Sequence, residues 1–552
     1  MKRQTFRLAG GTAHGSFAVH FQHLLNHRLL ELEEFSGRKL GANGSDRRGL
    51  VKMDALVLGI DSASPYLIQK WIDKLPNIRS VVERGAQGIL QSIVPPESVP
   101  AWQCFATGKN PAKIGVYGFL YIGRDRKLKR GKTTAELGCF WDICSKKGMK
   151  VGVFNFPGTY PPYSINGFMV SGFPVPHGKV WSYPEDLMKK IDSAVGGYEI
   201  DVPLSKPSDM KGGEEAHLGQ VQRLHDKCLQ TAKLLIEWYN PDVFAMTFQG
   251  LDLVQHDLWR YMDRPDSPYS NALRDWYVNI DNAVGDLVRL VGSNTHVLLL
   301  SDHGSAPCSS ALYVNRLLES RGLLTLKGPV KQKGEVYTKL RKWVLKKFSP
   351  ETLATLYRLT PEFISHKLTY AAAIERTLQG LIDNIDWDKT LAFSTGGHQA
   401  HIYINYDLVK KREDQDTTQT LTGVVNQLCD LMISLTNPKT GQKLTPVFHF
   451  KEQTFTGPYQ YDAPDLCVEL YSGNEKIQIN PRLGTKALWN YDPHFSSIHS
   501  RDGFWAMMGP RVKPGVKMDA SLLDLTPTIL KVLGVNSTND FDGHALDRII
   551  AS

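Results

Sequence analysis

The chain has 552 residues, 42% hydrophobic, 10% aromatic and 22% charged, with a net charge of +9. Its 47 Gly and 30 Pro exclude a collagenous or low-complexity chain, and the length admits one large domain with insertions or several domains of roughly 100–200 residues. Residues 1–50 carry +4 and residues 321–347 carry +8, which leaves the rest at −3; a cationic face spread over the main domain is excluded, and no nucleic acid is expected as a partner.

Residues 1–52 read as a disordered tail. Lys2, Arg3 and Arg7 open it, but His14, His20, His23, His27 and Arg28 interrupt any apolar signal region. No run reaches the ~18 apolar residues of a membrane span. Seven Cys, an odd number without a paired spacing, point to a reducing, cytoplasmic setting.

From Met53, short apolar runs alternate with helical patterns. Ala55–Ile60, Val151–Phe156, Phe168–Gly172, Val243–Phe248 and His296–Ser301 read as buried strands, followed late in the chain by His401–Asn405, Leu466–Leu470 and Phe504–Met508. Such alternation predicts an α/β fold over 53–552, with a mostly parallel central sheet and helices on both faces. Between Leu312 and Asp386 the pattern becomes helical, over Tyr337–Leu359 and Pro361–Ile385, which predicts a helical insertion, or cap, at about 313–386. Its basic amphipathic part, within 321–347, suits either an anionic membrane surface or a solvated helix face.

Chemistry gathers at the carboxyl ends of parallel strands. Asp61 directly follows the first strand, in Leu-Gly-Ile-Asp61-Ser, and Asp302-His303 directly follow another, in Leu-Leu-Ser-Asp302-His303-Gly. Asp252 and His256 follow a third and are four apart, so on a helix they share one face. Carboxylate oxygens with neutral imidazoles suit Zn²⁺, Mn²⁺ or Fe. Each piece alone also suits a helix cap or chance; three strand ends together favour a metal site. Ser98, in Pro95-Pro-Glu-Ser98-Val-Pro-Ala-Trp102, stands just before a helix start at Ala101. It is either the cap of that helix or a nucleophile held where backbone N–H groups receive an anion.

Taken together, these segments resemble the alkaline phosphatase superfamily in its type I phosphodiesterase/nucleotide pyrophosphatase branch, nearest to the predicted cytoplasmic phosphohydrolases of that branch. The resemblance rests on Gly-Ile-Asp61, on Pro-Pro-Glu-Ser98-Val-Pro-Ala-Trp with Thr107-Gly-Lys-Asn-Pro111, and on Asn155-Phe-Pro-Gly-Thr-Tyr-Pro-Pro162. Gly250-Leu-Asp252-Leu-Val-Gln-His256, Ser301-Asp-His-Gly304 and Asp524-Leu-Thr-Pro-Thr complete it. It implies an alkaline-phosphatase-like fold, two divalent metal ions (Zn²⁺ first, Mn²⁺ or Fe as alternatives) and a small phosphorylated substrate. It also supplies a ligand that spacing alone does not give: His499, ahead of Gly509-Pro510, with His494 the less well-spaced competitor. Carried onto this sequence, Asp252, His256 and His499 would bind one ion, and Asp61, Asp302 and His303 the other. Ser98 would then lie between them, attacking phosphorus to give a phosphoseryl-type intermediate that water hydrolyses.

Some positions depart from the family pattern. Gly118-Phe119 stands where an Asn that helps hold phosphate is expected, which leaves nucleotide specificity open. A sulfatase would need Arg where Trp102 stands. A phosphomonoesterase or phosphonate hydrolase stays open, with Lys109 and Arg501 as candidate substrate-binding cations. A catalytically silent metal-binding relative is the reading from a different class. His398 and His401, close together before a strand, either reach substrate or sit in a loop.

Overall fold

The computed structural model of the protein describes residues 51–118, 120–175, 181–200, 207–330, 342–349, 352, 370–413, 420–493 and 495–551. The expected tail up to residue 50 lies outside them, as do Lys339, Arg341 and His494.

A nine-stranded sheet forms the centre. Its spatial order is Ala520–Ser521, Ala86–Gln91, Asp502–Met508, His296–Leu300, Ala55–Ile60, Val243–Phe248, Val151–Phe156, Gly167–Ser171 and Ser182–Tyr183. The five strands from His296–Leu300 to Gly167–Ser171 run parallel to one another. Asp502–Met508 is antiparallel to both of its own. Ala55–Ile60, Val243–Phe248 and Val151–Phe156 are buried at every position, as continuous apolar runs covered on both faces must be. Two separate hydrophobic cores provide that cover. Leu56, Leu58 and Ile60 face one, with the long Gly213–Tyr239 and Ala272–Leu290 helices, while Ala55 and Val57 face the other, with the Ser98–Thr107 helix.

The predicted insertion is larger than a helical cap. A third core gathers residues from Leu312 to Leu483, together with Leu120 and Ile122, and is not interrupted at residue 386. Helices are present where expected, at residues 342–347 and Tyr370–Asn384. The Tyr370–Asn384 helix belongs, however, to a lobe built on a second, antiparallel sheet in the order Ala392–Ser394, Ala400–Ile404, Leu466–Ser472, Thr445–Phe450, whereas in the short helix Leu345 O accepts from Lys211 N–H at 3.0 Å. The His401 and Leu466 strands, expected in the main sheet, therefore lie in this one. Apolar runs give strand identity but not the sheet a strand joins, which is fixed by pairing partners far away in sequence. The lobe leaves the main domain through Gly304–Pro307 and returns through Ser497–Ser500; these two strands pair antiparallel, with Ser305 opposite His499. The cap thus begins just after one predicted ligand pair and closes on another predicted ligand.

Within the basic segment, Trp343 is exposed, Lys342 pairs with Asp209 at 3.1 Å, and the Lys347 ammonium sits 4.7 Å from the Trp343 ring centroid. Among the described residues no helix is long and apolar enough to cross a membrane. All seven cysteines are free thiols, six of them buried.

Candidate active site

Three adjacent parallel strands, Val243–Phe248, Ala55–Ile60 and His296–Leu300, end at the same edge of the sheet. The residues that follow them converge there. Asp61 leaves the central strand with its N–H bonded to Phe248 O at 2.9 Å. Ser62, in a left-handed conformation at φ 67°, turns the chain so that its N–H donates to Asp302 Oδ1 at 3.3 Å. Gln255 fastens the same turn by donating to Ser62 O at 2.7 Å. The Gly250–Leu258 helix carries Asp252 and His256 on one face, with Asp252 Oδ2 3.3 Å from His256 Nε2.

The predicted ligands form two adjoining groups. In one, His499 Nε2 lies 3.5 Å from Asp252 Oδ1 and 3.2 Å from His256 Nε2. In the other, His303 Nε2 lies 3.3 Å from Asp302 Oδ2 and 3.6 Å from Asp61 Oδ1. Ser98 joins the second group, its Oγ 3.1 Å from His303 Nε2. It is the first residue of the Ser98–Thr107 helix, with Glu97 as the cap residue, so the hydroxyl stands at the positive end of a helix whose first N–H groups have no intrahelical acceptor. This helix is apolar nearly all round and buried from Pro100 to Thr107, and its aromatic side chains lock it in place. Trp102 packs edge-on against Phe156 at 5.2 Å and also donates its indole N–H to Asp61 Oδ2 at 3.3 Å.

The electrostatics call for a cation. Asp61 Oδ1, Asp302 Oδ2 and Asp252 Oδ1 are buried and accept no hydrogen bond, an arrangement that is costly for carboxylates unless a positive charge meets them. Burial, and then the charge of Asp252, pushes the Asp61 carboxyl well above its usual range; burial, and then Asp61, does the same to Asp302. Asp252 goes the other way: burial opposes ionisation, but His256 and His499 hold it well below the ordinary carboxylate value. The three candidate imidazoles share one orientation. His256 Nδ1 meets Ser497 O at 2.7 Å, His303 Nδ1 meets Gly304 O at 3.0 Å, and His499 Nδ1 meets Pro96 O at 2.8 Å. A ring that donates Nδ1–H to a carbonyl keeps its Nε2 lone pair free for a metal. Orphan carboxylate oxygens and oriented imidazoles together fit divalent cations.

The remaining candidates divide. Lys109 lies past the far end of the Ser98–Thr107 helix, which rises ~15 Å from Ser98, so it is not brought to the cluster; closeness in sequence to Ser98 is not closeness in space. Arg501 is near in the chain to His499, but its guanidinium donates to Ser92 O at 3.1 and 3.3 Å. His401 is buried, with Nε2 unbonded. His398 is brought in: its ring stacks on His499 at 3.5 Å between centroids and lies 5.6 Å from His256. Lys476 and Glu97 were not anticipated at all. Lys476, fully buried, donates to His499 O at 2.8 Å. Glu97 Oε2 is 3.9 Å from His398 Nε2. For His398 the sequence offers its closeness to His401 ahead of a strand and the Gly396-Gly397 pair before it, which suits a tight turn.

A model of the type I phosphodiesterase/nucleotide pyrophosphatase family matches residues 55–386, more than half of the chain. The chain belongs to this family and is a hydrolase of the phosphodiesterase class. No curated protein sequence matches it. Among solved structures, it is similar to murine ectonucleotide pyrophosphatase/phosphodiesterase 5, at 11% identity over 90% of this chain and 100% of that one, with a TM-score of 0.46. An inactive variant of the same murine protein in complex with AMP is similar at 12% identity over 91% of this chain and 100% of that one, with a TM-score of 0.45.

Proposed function

We propose that the protein is a two-metal phosphohydrolase that cleaves a phosphodiester or pyrophosphate bond in a small substrate, with Ser98 as nucleophile. Asp252, His256 and His499 would hold one divalent cation, and Asp61, Asp302, His303 and the Ser98 hydroxyl the other, with Zn²⁺ the best match to this oxygen and imidazole set. When bound, the cations supply positive charge to the attacking oxygen, the phosphoryl oxygens and the leaving oxygen. The observation that carries this reading is the placement of Ser98 Oγ, 3.1 Å from His303 Nε2 at a helix N-terminus, beside three buried carboxylate oxygens without donors.

Ser98 forms an ester bond to phosphorus through Oγ as the bond from phosphorus to the leaving oxygen breaks, and that oxygen takes up a proton. Water then attacks phosphorus and releases the serine. The first-turn N–H groups of the Ser98–Thr107 helix face the anionic group while this occurs. A diester is favoured over a monoester, because the second negative charge of a monoester calls for a cationic side chain. Lys109 is too distant to supply one, and Arg501 is committed to Ser92 O.

The test strips the purified protein with a chelator and reloads it with Zn²⁺ or Mn²⁺. Bis-p-nitrophenyl phosphate should be hydrolysed only after reloading, with a higher kcat/KM than p-nitrophenyl phosphate. Failure to cleave any diester with any divalent metal overturns the reading.

A further inference from the structure

His398 differs from the other three imidazoles of the cluster in the direction of its hydrogen bond. His256, His303 and His499 each turn Nδ1 toward a backbone carbonyl. In His398 the polarity is reversed, because the backbone N–H of His499 donates to His398 Nδ1 at 3.3 Å. A neutral imidazole carries one N–H, so an accepting Nδ1 places the proton on Nε2. The ring therefore carries a donor on Nε2, where its neighbours keep a lone pair. That donor makes no hydrogen bond to any described residue; Glu97 Oε2, 3.9 Å away, is beyond hydrogen-bond range.

The second lobe holds this ring firmly. Gly396 and Gly397 have φ of 70° and 123°, which side-chain-bearing residues rarely adopt, and a Cβ on Gly396 would fall 2.4 Å from Pro481 Cδ. Gly397 exchanges backbone hydrogen bonds with Ile479 at 3.2 and 3.3 Å. The 3.5 Å stack on His499, with the rings 10° from parallel, sets the orientation.

We propose that His398 is a substrate-contacting residue, whose Nε2–H donates to an oxygen of the phosphate ester beside the Asp252, His256 and His499 group. This rests on the phosphohydrolase reading above. A nitrogen of His398 does lie within 4.8 Å of nitrogens of His256 and His499, the spacing of a possible three-histidine metal site. The reversed hydrogen bond argues against that use, since a protonated Nε2 has no lone pair for a cation. The insertion thus contributes a neutral hydrogen-bond donor to a site otherwise built by the main domain.

The experiment compares metal-loaded wild type, His398→Ala and His398→Gln, the last retaining an N–H donor. Metal content is read by elemental analysis and affinity by competition with a chelator, inorganic phosphate binding by calorimetry, and turnover with bis-p-nitrophenyl phosphate. His398→Ala should keep both metals at unchanged affinity, bind phosphate roughly tenfold more weakly and lose about 10²-fold in kcat/KM; His398→Gln should recover part of both losses. A fall in metal content, or a 10–100-fold loss of metal affinity as expected for a ligand or its support, overturns the proposal. So does unchanged phosphate binding with unchanged turnover. If wild type binds both metals and phosphate but cleaves no ester, the phosphohydrolase reading fails while the phosphate arm still reports on the donor.

Discussion

Lys476→Met is the perturbation whose cost is best defined. The ammonium is wholly buried, and it donates to Glu469 Oε2 at 2.5 Å and to His499 O at 2.8 Å. Burial opposes charge on Glu469, but the Lys476 charge holds that carboxyl below its usual range. Removing one partner of a buried ion pair costs ~3–5 kcal/mol, because the other charge is left uncompensated. Glu469 keeps His449 Nε2 at 3.0 Å and the Tyr471 hydroxyl at 2.9 Å, which puts the expected loss near the lower end, about 3 kcal/mol. If the second lobe melts as one unit, that loss lowers its Tm by about 6–12 °C, as read from a thermal melt of the metal-loaded protein. The double variant Lys476→Met/Glu469→Gln should recover most of it, since a neutral amide no longer strands a charge. A single variant within about 0.5 kcal/mol of wild type, the range of ordinary surface changes, would refute the reasoning. A double variant no better than the single would do the same.

Chelation should lower the melting temperature and re-addition of metal should restore it, since a free ion at 1,000 times its Kd stabilises by about 4 kcal/mol per site; an unchanged midpoint contradicts the two-cation site. In Gly59→Ala, the new Cβ would stand 2.5 Å from Trp102 Cη2 and 2.9 Å from Thr247 Oγ1, and overpacking of this kind costs ~1–3 kcal/mol. Because Trp102 also holds Asp61, that variant should show weaker metal binding as well as a lower Tm. Burial between Phe248 and Trp276 lowers the His225 pKa from 6.5 to about 4. The folded value is depressed, so its contribution is present above pH 6.5 and lost as pH falls toward 4. Denaturant titrations across that window should show a shallower acid limb in His225→Leu than in wild type.

The parts of the site legible in the sequence are those delivered by local rules. Asp61 and Asp302-His303 end apolar runs, and Asp252 and His256 share a helix face, so their convergence needs only a parallel sheet with these three strands adjacent. His499 was reachable only through resemblance. It arrives on a strand that closes a long insertion, and its neighbour across the pair is Ser305, nearly two hundred residues away in sequence. Lys476 was illegible for the same reason, and for His398 the sequence left open whether it reaches substrate or sits in a loop: each reaches the cluster through the packing of the second lobe, and no spacing in the chain encodes that contact. The lobe's own sheet was hidden because His401–Asn405 and Leu466–Leu470 read as strands whichever sheet takes them. Lys109 shows the converse, a residue near Ser98 in sequence but separated from it by the full length of a helix.

The central claim is that Ser98 attacks phosphorus over a two-metal site. It is tested most directly by measuring bis-p-nitrophenyl phosphate hydrolysis by Ser98→Ala, with metal content determined on the same sample. The account predicts two bound metals and a loss of at least about 10³-fold in kcat, the scale on which removing a nucleophile acts. Undiminished hydrolysis by a fully metal-loaded Ser98→Ala would contradict it.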